Sequence, residues 1–398
     1  MKTSYPLQWI AGLMSNVLPF FIKQNRNKVV LTSFHGDGFR GNTKVIFEHL
    51  STQNSIHAVW LTRNRQLVEQ IKSKFGDDKA ELMHSFSGLV HLASSSAILF
   101  THGTSDYPFL RLPRRALILQ TYHGLPTKRG EYLKPKSDNP PNLFHRLILK
   151  YRFKPIDYFL STSPFVTDIF SKRFGLPKSS FIEIGFPSYD KLQSEKSDPA
   201  LINRIWPAAP DYNHILLYSP TFRKFSRTKW FPFQDLDFRL MADFLEKEKI
   251  LILIRPHPNE RVNISEYQKH SPRFLDASQN RVEDIYELLP NIDLIVTDYS
   301  SIYLEGLLRD IPSVFIPYDL ESYERGLPFD YEKFTPGDKV RTQKEFLNSI
   351  RKSLDKTGTS EKKKNAVLDR FFSKQEKDST KKVGRFLEAK LLDNLINS

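Results

Sequence analysis

Short apolar runs recur along this chain at intervals that leave room for a helix between successive runs, and no other feature limits the fold so tightly. In the first half they span residues 29–33, 56–62, 97–101, 116–121, 158–162 and 181–184. Runs of this kind, without polar alternation, suit strands buried on both faces. Helical patterns such as 43–50 and 165–174 fall between most of them, and strands joined through helices pair in parallel. Residues 29–192 therefore predict one doubly wound domain. Pro199, Pro207 and Pro210 then mark a connection over 193–213. The pattern restarts with strands at 215–218, 250–255, 294–297 and 313–316 and helices near 236–248, 282–288 and 301–308, giving a second domain over 214–340. Residues 341–398 read as charged helices. The expected fold class is α/β, two doubly wound Rossmann-like domains facing a cleft, with the carboxyl ends of both sheets on it.

A chain of 398 residues, 39% hydrophobic, can bury two such cores. The absence of cysteine excludes disulfides, thiolate metal sites and a cysteine nucleophile. The net charge of +14 calls for an anionic partner. Much of the basic charge lies in one block through Arg111, Arg114, Arg115, Lys128, Arg129, Lys134, Lys136, Arg146, Lys150, Arg152 and Lys154, interleaved with Phe109, Tyr132, Phe144 and Phe153. That mixture suits an anionic lipid headgroup surface, and no nucleic-acid motif accompanies it. Residues 1–28 read as an amphipathic segment. The stretch 5–22 is apolar but broken by Gln8, Ser15, Asn16 and Pro19, too poor to span a bilayer, and Lys23, Arg26 and Lys28 follow it. It is expected to lie in the membrane plane with Trp9, Phe20 and Phe21 at the interface, or to pack on the first domain.

Candidate chemistry gathers at strand ends. Thr297 closes a buried strand, and Asp298-Tyr299-Ser300-Ser301 opens the next helix, offering hydroxyls and free amides to a phosphate, although serine there is commonly a helix cap. Glu305 on that helix is a candidate for the ribose or base. Arg255-Pro256-His257-Pro258 presents an imidazole braced by prolines at another strand end. Thr221 and Arg223 end the first strand of the second domain and offer a hydroxyl and a guanidinium. In the first domain, His123-Gly124 leads into Lys128 and Arg129, a cationic loop suited to an anionic acceptor. The loop from His35 to Asn42 is glycine-rich but matches neither a dinucleotide fingerprint nor a Walker loop. Asp235-Leu236-Asp237 is read as helix capping, so no metal is expected.

These segments together resemble the CDP-glycerol glycerophosphotransferase family. The resemblance rests on residues 293–301, then Ile311-Pro312, Tyr318-Asp319-Leu320, Tyr323, Arg325-Gly326, 329–331 and Pro336-Gly337. The His123-Gly124 segment, Gly185-Phe186-Pro187 with Asp190, 218–223 and 255–258 join it in order, so that it covers roughly 29–340. It implies a glycosyltransferase-B-like fold, a CDP-activated polyol donor held mainly by the second domain, a lipid-linked saccharide acceptor, and peripheral attachment at the cytoplasmic face of the cell membrane. It also implies that His123 and His257 are needed for transfer. Leu125-Pro126-Thr127-Lys128 departs from the family's Thr-Pro-Leu-Lys after His-Gly, where the acceptor is expected.

The expected reaction is attack of an acceptor hydroxyl on the β-phosphorus of CDP-glycerol with release of CMP, and no cofactor. His123 is assigned as the base. Arg223, Thr221, Arg255, Thr297, Asp298, Ser300, Ser301, Glu305, Arg325 and His257 are assigned to the donor side, and Gly124, Lys128, Arg129 and Asn42 to the acceptor side. A nucleotide-sugar transferase of the same fold is the rival expectation.

Overall fold

The computed structural model describes residues 5–129, 143, 144, 147, 155–223, 226–260, 262–355 and 361–396. The chain forms two compact units, one of Met1–Gly124, Pro140–Lys191 and Ser373–Ser398, the other of Leu125–Asn139 and Leu192–Phe372.

In the first unit β1 (Lys28–Leu31), β2 (His57–Thr62), β3 (Ala80–Leu82), β4 (Ala97–Phe100), β5 (Leu117–Gln120), β6 (Tyr158–Ser161) and β7 (Phe181–Glu183) make one sheet in the order β3-β2-β1-β4-β5-β6-β7. Neighbouring strands run parallel. Val29, Val30, Leu31, Ile98, Leu99 and Phe100 are fully buried, which is why these runs show no polar alternation. Only β3 escapes the sequence pattern, because a three-residue Ala-Glu-Leu strand shows no periodicity. Local signals set the helix ends. Ser163 accepts from Val166 N, Pro164 occupies the first turn, and Gly175 at φ 67° ends the helix Pro164–Phe174.

The chain's last helix, Ser379–Ile396, packs on Gly41–Ser51 of this same unit. Its start is bound to the Gly185–Asp190 segment: Thr380 N donates to Asp190 Oδ2 at 2.6 Å and Phe186 N to Gln375 Oε1 at 2.6 Å. Gly185, at φ +87°, lies so close to Ser379 that a Cβ would meet its Oγ at 2.3 Å. The Gly185-Phe186-Pro187 motif thus anchors the tail.

The second unit holds β8 (His214–Tyr218), β9 (Ile250–Ile254), β10 (Phe274–Asp276), β11 (Leu294–Thr297) and β12 (Ser313–Phe315) in a parallel sheet ordered β10-β9-β8-β11-β12. Its core joins Leu216, Ile252, Leu294 and Val314 to Phe231, Phe274 and Phe346. The expected helix at 282–288 is replaced by the 3-10 turns Ile285–Glu287 and Leu289–Asn291, where Asp284 accepts from Tyr286 N and Pro290 removes an amide donor. Residues 193–213 hold a short helix and a packed tryptophan. The helix Leu201–Ile205 buries Ile202 completely, and Trp206 Nε1 donates to Asp276 O at 3.0 Å. Both sheets reverse strand order once, at β1/β4 and at β8/β11, and ligands of open α/β sheets bind outside the carboxyl ends at such points.

Ahead of β1 the helix Tyr5–Phe21 turns its small and polar side inward. Gln8, Ala11 and Ser15 are buried, Ser15 Oγ accepts from Arg111 N at 2.9 Å, and a Cβ on Gly12 would meet Phe109 O at 2.5 Å. Leu7, Trp9, Ile10, Leu13, Val17, Phe20 and Phe21 face outward, Phe20 86% exposed. The helix therefore packs on the first unit and still presents a wide apolar face. Among the described residues no helix is long and apolar enough to cross a membrane. Much of the basic block, including Lys134, Lys136, Arg146, Lys150, Arg152 and Lys154, lies outside the described residues.

Candidate active site

In the first unit, His123 follows β5 at a turn whose preceding residue, Tyr122, sits at φ 58° while 7% exposed. A buried aromatic residue in the left-handed region is strained and must be held from outside. Asn42 holds it. Its amide donates to Thr121 O (2.8 Å) and Tyr122 O (3.2 Å), and its Oδ1 accepts from Ser188 N (3.0 Å) and Ser188 Oγ (2.7 Å). Asn42 is thus buried with its hydrogen-bonding capacity filled, and it clamps the turn that presents His123.

His123 Nδ1 lies 3.3 Å from Thr101 O. A carbonyl only accepts, so Nδ1 carries the proton and Nε2 a lone pair. The ring keeps accessible surface, yet protein crowds it enough that desolvation, with His102 and Arg173 adding, pushes its pKa well below the ordinary histidine value. His123 is therefore neutral near pH 7 and able to take a proton at Nε2.

The sequence reading missed the residues around it. The ring of His102, just past β4, is parallel to that of His123 within 2°, their centroids 3.9 Å apart. Asp106, fully buried, accepts from Thr101 N (2.7 Å), Thr101 Oγ1 (2.9 Å), His102 N (2.9 Å) and His35 N (2.6 Å), tying the ends of β1 and β4 together. The available signal was position, since Thr101-His102 ends a strand as His123 does.

In the second unit, Asp298 and Arg223 join the ends of β11 and β8. Asp298 Oδ1 accepts from Thr221 N at 2.8 Å, and Oδ2 accepts from Arg223 Nη2 at 2.8 Å. Asp319 takes Arg223 Nε and Nη2, both at 2.8 Å, while Nη1 donates to Thr221 O. The rings of Tyr299, Tyr318 and Tyr323 surround the guanidinium, with centroids 5.1–5.2 Å away. Burial opposes the charge, but Asp319 and Asp298 outweigh it and raise the arginine's pKa. Arg223 is 2% exposed, Asp298 1% and Thr297 0%, with Thr297 Oγ1 donating to Ser219 O at 2.7 Å. Arg223 and Asp298 close on each other and Thr297 on Ser219, which fixes the strand ends. Thr221 is also buried, its Oγ1 without a hydrogen-bond partner, and Glu305 is buried on its helix.

Ser300 and Ser301 remain half-exposed at the mouth of Ile302–Leu307, and Ser301 makes no side-chain capping bond. Their hydroxyls are not consumed by capping. Arg255 is half-buried, and its Nη1 donates to Ala277 O at 2.8 Å and to Val282 O, binding the end of β9 to the next loop. Asp237 caps its helix as expected, accepting from Arg239 N and Leu240 N.

His257 stacks on Phe222, centroids 5.1 Å apart at 22°, and Asn259 N donates to its Nδ1 at 3.2 Å. Its neutral form therefore carries the proton on Nε2. Desolvation, then the charges of Lys128 and Arg325, push its pKa down to about 4. Lys128 and Arg129 belong to the second unit. Beyond Gly124, at φ 147°, the chain joins the second unit, where Arg129 N donates to Gly326 O at 3.1 Å and Arg129 Nε to Leu327 O at 2.9 Å. Those carbonyls hold Arg129 in the second unit, and Lys128 of the same segment acts on His257.

The family model for CDP-Glycerol:Poly(glycerophosphate) glycerophosphotransferase matches residues 14–389. The chain belongs to this family. A teichoic acid glycerol-phosphate transferase of Staphylococcus aureus is 28% identical over 84% of this chain and 85% of its own. A teichoic acid poly(glycerol phosphate) polymerase of Bacillus spizizenii is 28% identical over 91% and 92%. A structure of a variant of the wall teichoic acid polymerase TagF soaked with CDPG superposes with a TM-score of 0.74 at 20% identity, covering 97% of this chain and 94% of that one, which shows a shared glycosyltransferase-B-like fold. In this glycerophosphotransferase-family chain the two histidines stand at strand ends of different units, Nε2 of His123 without a proton and Nε2 of His257 with one, and Ser300 and Ser301 stay half-exposed in the second unit.

Proposed function

We propose that this protein transfers glycerol phosphate from CDP-glycerol to a hydroxyl of a lipid-linked saccharide acceptor, releasing CMP, in teichoic acid synthesis. The observation that carries the reading is the pair of opposite tautomers: Thr101 O leaves His123 with an unprotonated Nε2, and Asn259 N leaves His257 with a protonated one. One is a proton acceptor and the other a donor to a phosphate oxygen.

The acceptor hydroxyl gives its proton to His123 Nε2 as its oxygen bonds the β-phosphorus. The bond from that phosphorus to the bridging oxygen breaks, and its electron pair leaves with CMP. His257 Nε2–H, Arg325, Lys128, Ser300 and Ser301 neutralise charge on the diphosphate, a task that needs placed donors more than covalent chemistry. The exposed apolar side of Tyr5–Phe21, with Lys23 and Arg26 next in the chain and Arg111 bonded to Ser15 and Asn16, supports docking on the anionic cytoplasmic face of the cell membrane, where a lipid-linked acceptor is met.

The test is incubation with a short lipid-linked disaccharide and, in parallel, CDP-glycerol, CDP-ribitol or UDP-sugars, with products read by mass spectrometry. A mass increase of one glycerol phosphate, only with CDP-glycerol, is expected. Ribitol phosphate or sugar addition overturns the donor assignment.

A further inference from the structure

The stacked partner of His123 has no role in the reaction as written. We propose that His102 is a positioning residue for His123, holding its ring plane and allowing the two-ring stack only one proton at a time.

The geometry begins at Asp106, whose Oδ2 accepts from Thr101 Oγ1 at 2.9 Å. With its proton committed to that carboxylate, Thr101 Oγ1 can only accept from its other neighbours. It receives Phe34 N at 3.0 Å and His102 Nδ1 at 2.8 Å. His102 therefore carries a proton at Nδ1. His123 Nδ1 donates to the carbonyl of the same Thr101 at 3.3 Å. Both stacked rings turn Nδ1 toward one residue, the first to its hydroxyl and the second to its carbonyl, and in their neutral forms both leave Nε2 unprotonated.

Two imidazolium rings face to face at a centroid distance of 3.9 Å would repel strongly, whereas one cation over one neutral ring is tolerated. When His123 takes the acceptor's proton, a neutral His102 is thus its proper neighbour. Among the described residues the other charged or titratable groups facing the pair include Arg173, which disfavours a cation on His123, Asp106, which favours one, Tyr122, whose ring stacks on His123 at 4.1 Å, and His35, whose ring centroid is 4.7 Å from that of His102. Phe34 packs on the rings of both stacked histidines and fixes the stack from the β1 side.

This inference rests on His123 being the base, and its test separates the two ideas. In the wild-type chain with histidines labelled at ring carbon, NMR titration is expected to show His102 and His123 taking protons in two linked steps, each ring reporting both. Independent single-step titrations overturn the coupling whatever the activity data show. In activity assays, His102→Phe keeps a flat ring but no proton, so kcat at high pH is expected to stay within about threefold of wild type while the acid limb of its profile moves to higher pH. His102→Ala removes the surface that aligns His123, and kcat is expected to fall roughly tenfold or more with donor KM little changed. An unshifted acid limb in His102→Phe, or wild-type kcat in His102→Ala, overturns the positioning role. If His123→Ala retains turnover while the linked titration persists, the base assignment fails and the coupling stands.

Discussion

Arg223 and Asp319 form a two-point ion pair, Nε and Nη2 of the arginine each 2.8 Å from a carboxylate oxygen, in a part of the second unit where the guanidinium is 1% exposed. Removing one side of a buried pair leaves the other charge uncompensated, which costs about 3–5 kcal/mol. Arg223→Ala is expected to destabilise the protein by that order. Arg223→Lys is expected to recover little, since a point charge cannot satisfy Asp319 and Asp298 together. Urea denaturation measures both. A variant that keeps wild-type stability and loses only donor affinity would return Arg223 to the diphosphate.

Glutamine distinguishes the two histidines. Its side-chain amide can donate a hydrogen bond much as Nε2–H does, but it cannot accept a proton near neutral pH. His257→Gln is expected to keep several-fold more activity than His257→Ala, whereas His123→Gln is expected to be as inactive as His123→Ala, about 10²–10⁴-fold below wild type. Equal rescue at both positions would mean that His123 only donates.

The half-exposed hydroxyl of Ser301 makes no cap. Ser301→Ala should weaken CDP-glycerol binding by about 1 kcal/mol or more, as loss of a charge-assisted hydrogen bond does. Calorimetry on the folded variant reads this directly, and an unchanged dissociation constant removes Ser301 from the donor site.

Both site histidines have lowered pKa values, His257 to about 4. Below the unfolded value near 6.5 the unfolded chain binds protons that the folded chain refuses, so stability is full above that pH and declines as pH falls toward 4. Replacing His257 with glutamine should flatten that decline. Thermal melts between pH 7 and 4 test it, and identical slopes for wild type and variant would contradict it.

The helix Tyr5–Phe21 meets the first unit through small residues and shows its apolar side outward. Deleting residues 1–22, or replacing Trp9, Phe20 and Phe21 with serine, should lower binding to anionic liposomes and reduce activity on long-tailed acceptors far more than on soluble analogues. Flotation at low and high salt measures the bound fraction. No change with either truncation or salt would rule out a membrane role for this face.

Much of the fold was written in local pattern. Apolar runs without alternation identified most strands of both parallel sheets, because a strand covered by helices on both faces has no polar positions to show. The strand ends also declared themselves, since His123, His257 and Ser300-Ser301 each follow such a run. Pattern stopped at what depends on distant partners. Nothing near Arg223 in the chain announces that Asp298 and Asp319 enclose it, so a guanidinium at a strand end reads as a phosphate ligand while the fold turns its donors to two carboxylates. The partners of Asn42 and Arg255 were hidden for the same reason, their hydrogen bonds going to segments further along the chain. Arg129 follows His123 by six residues but settles on Gly326 and Leu327. Sequence determines which residues can donate, accept or carry charge. Which nitrogen of each histidine holds the proton was decided only by folding, which set Thr101 O beside one ring and Asn259 N beside the other.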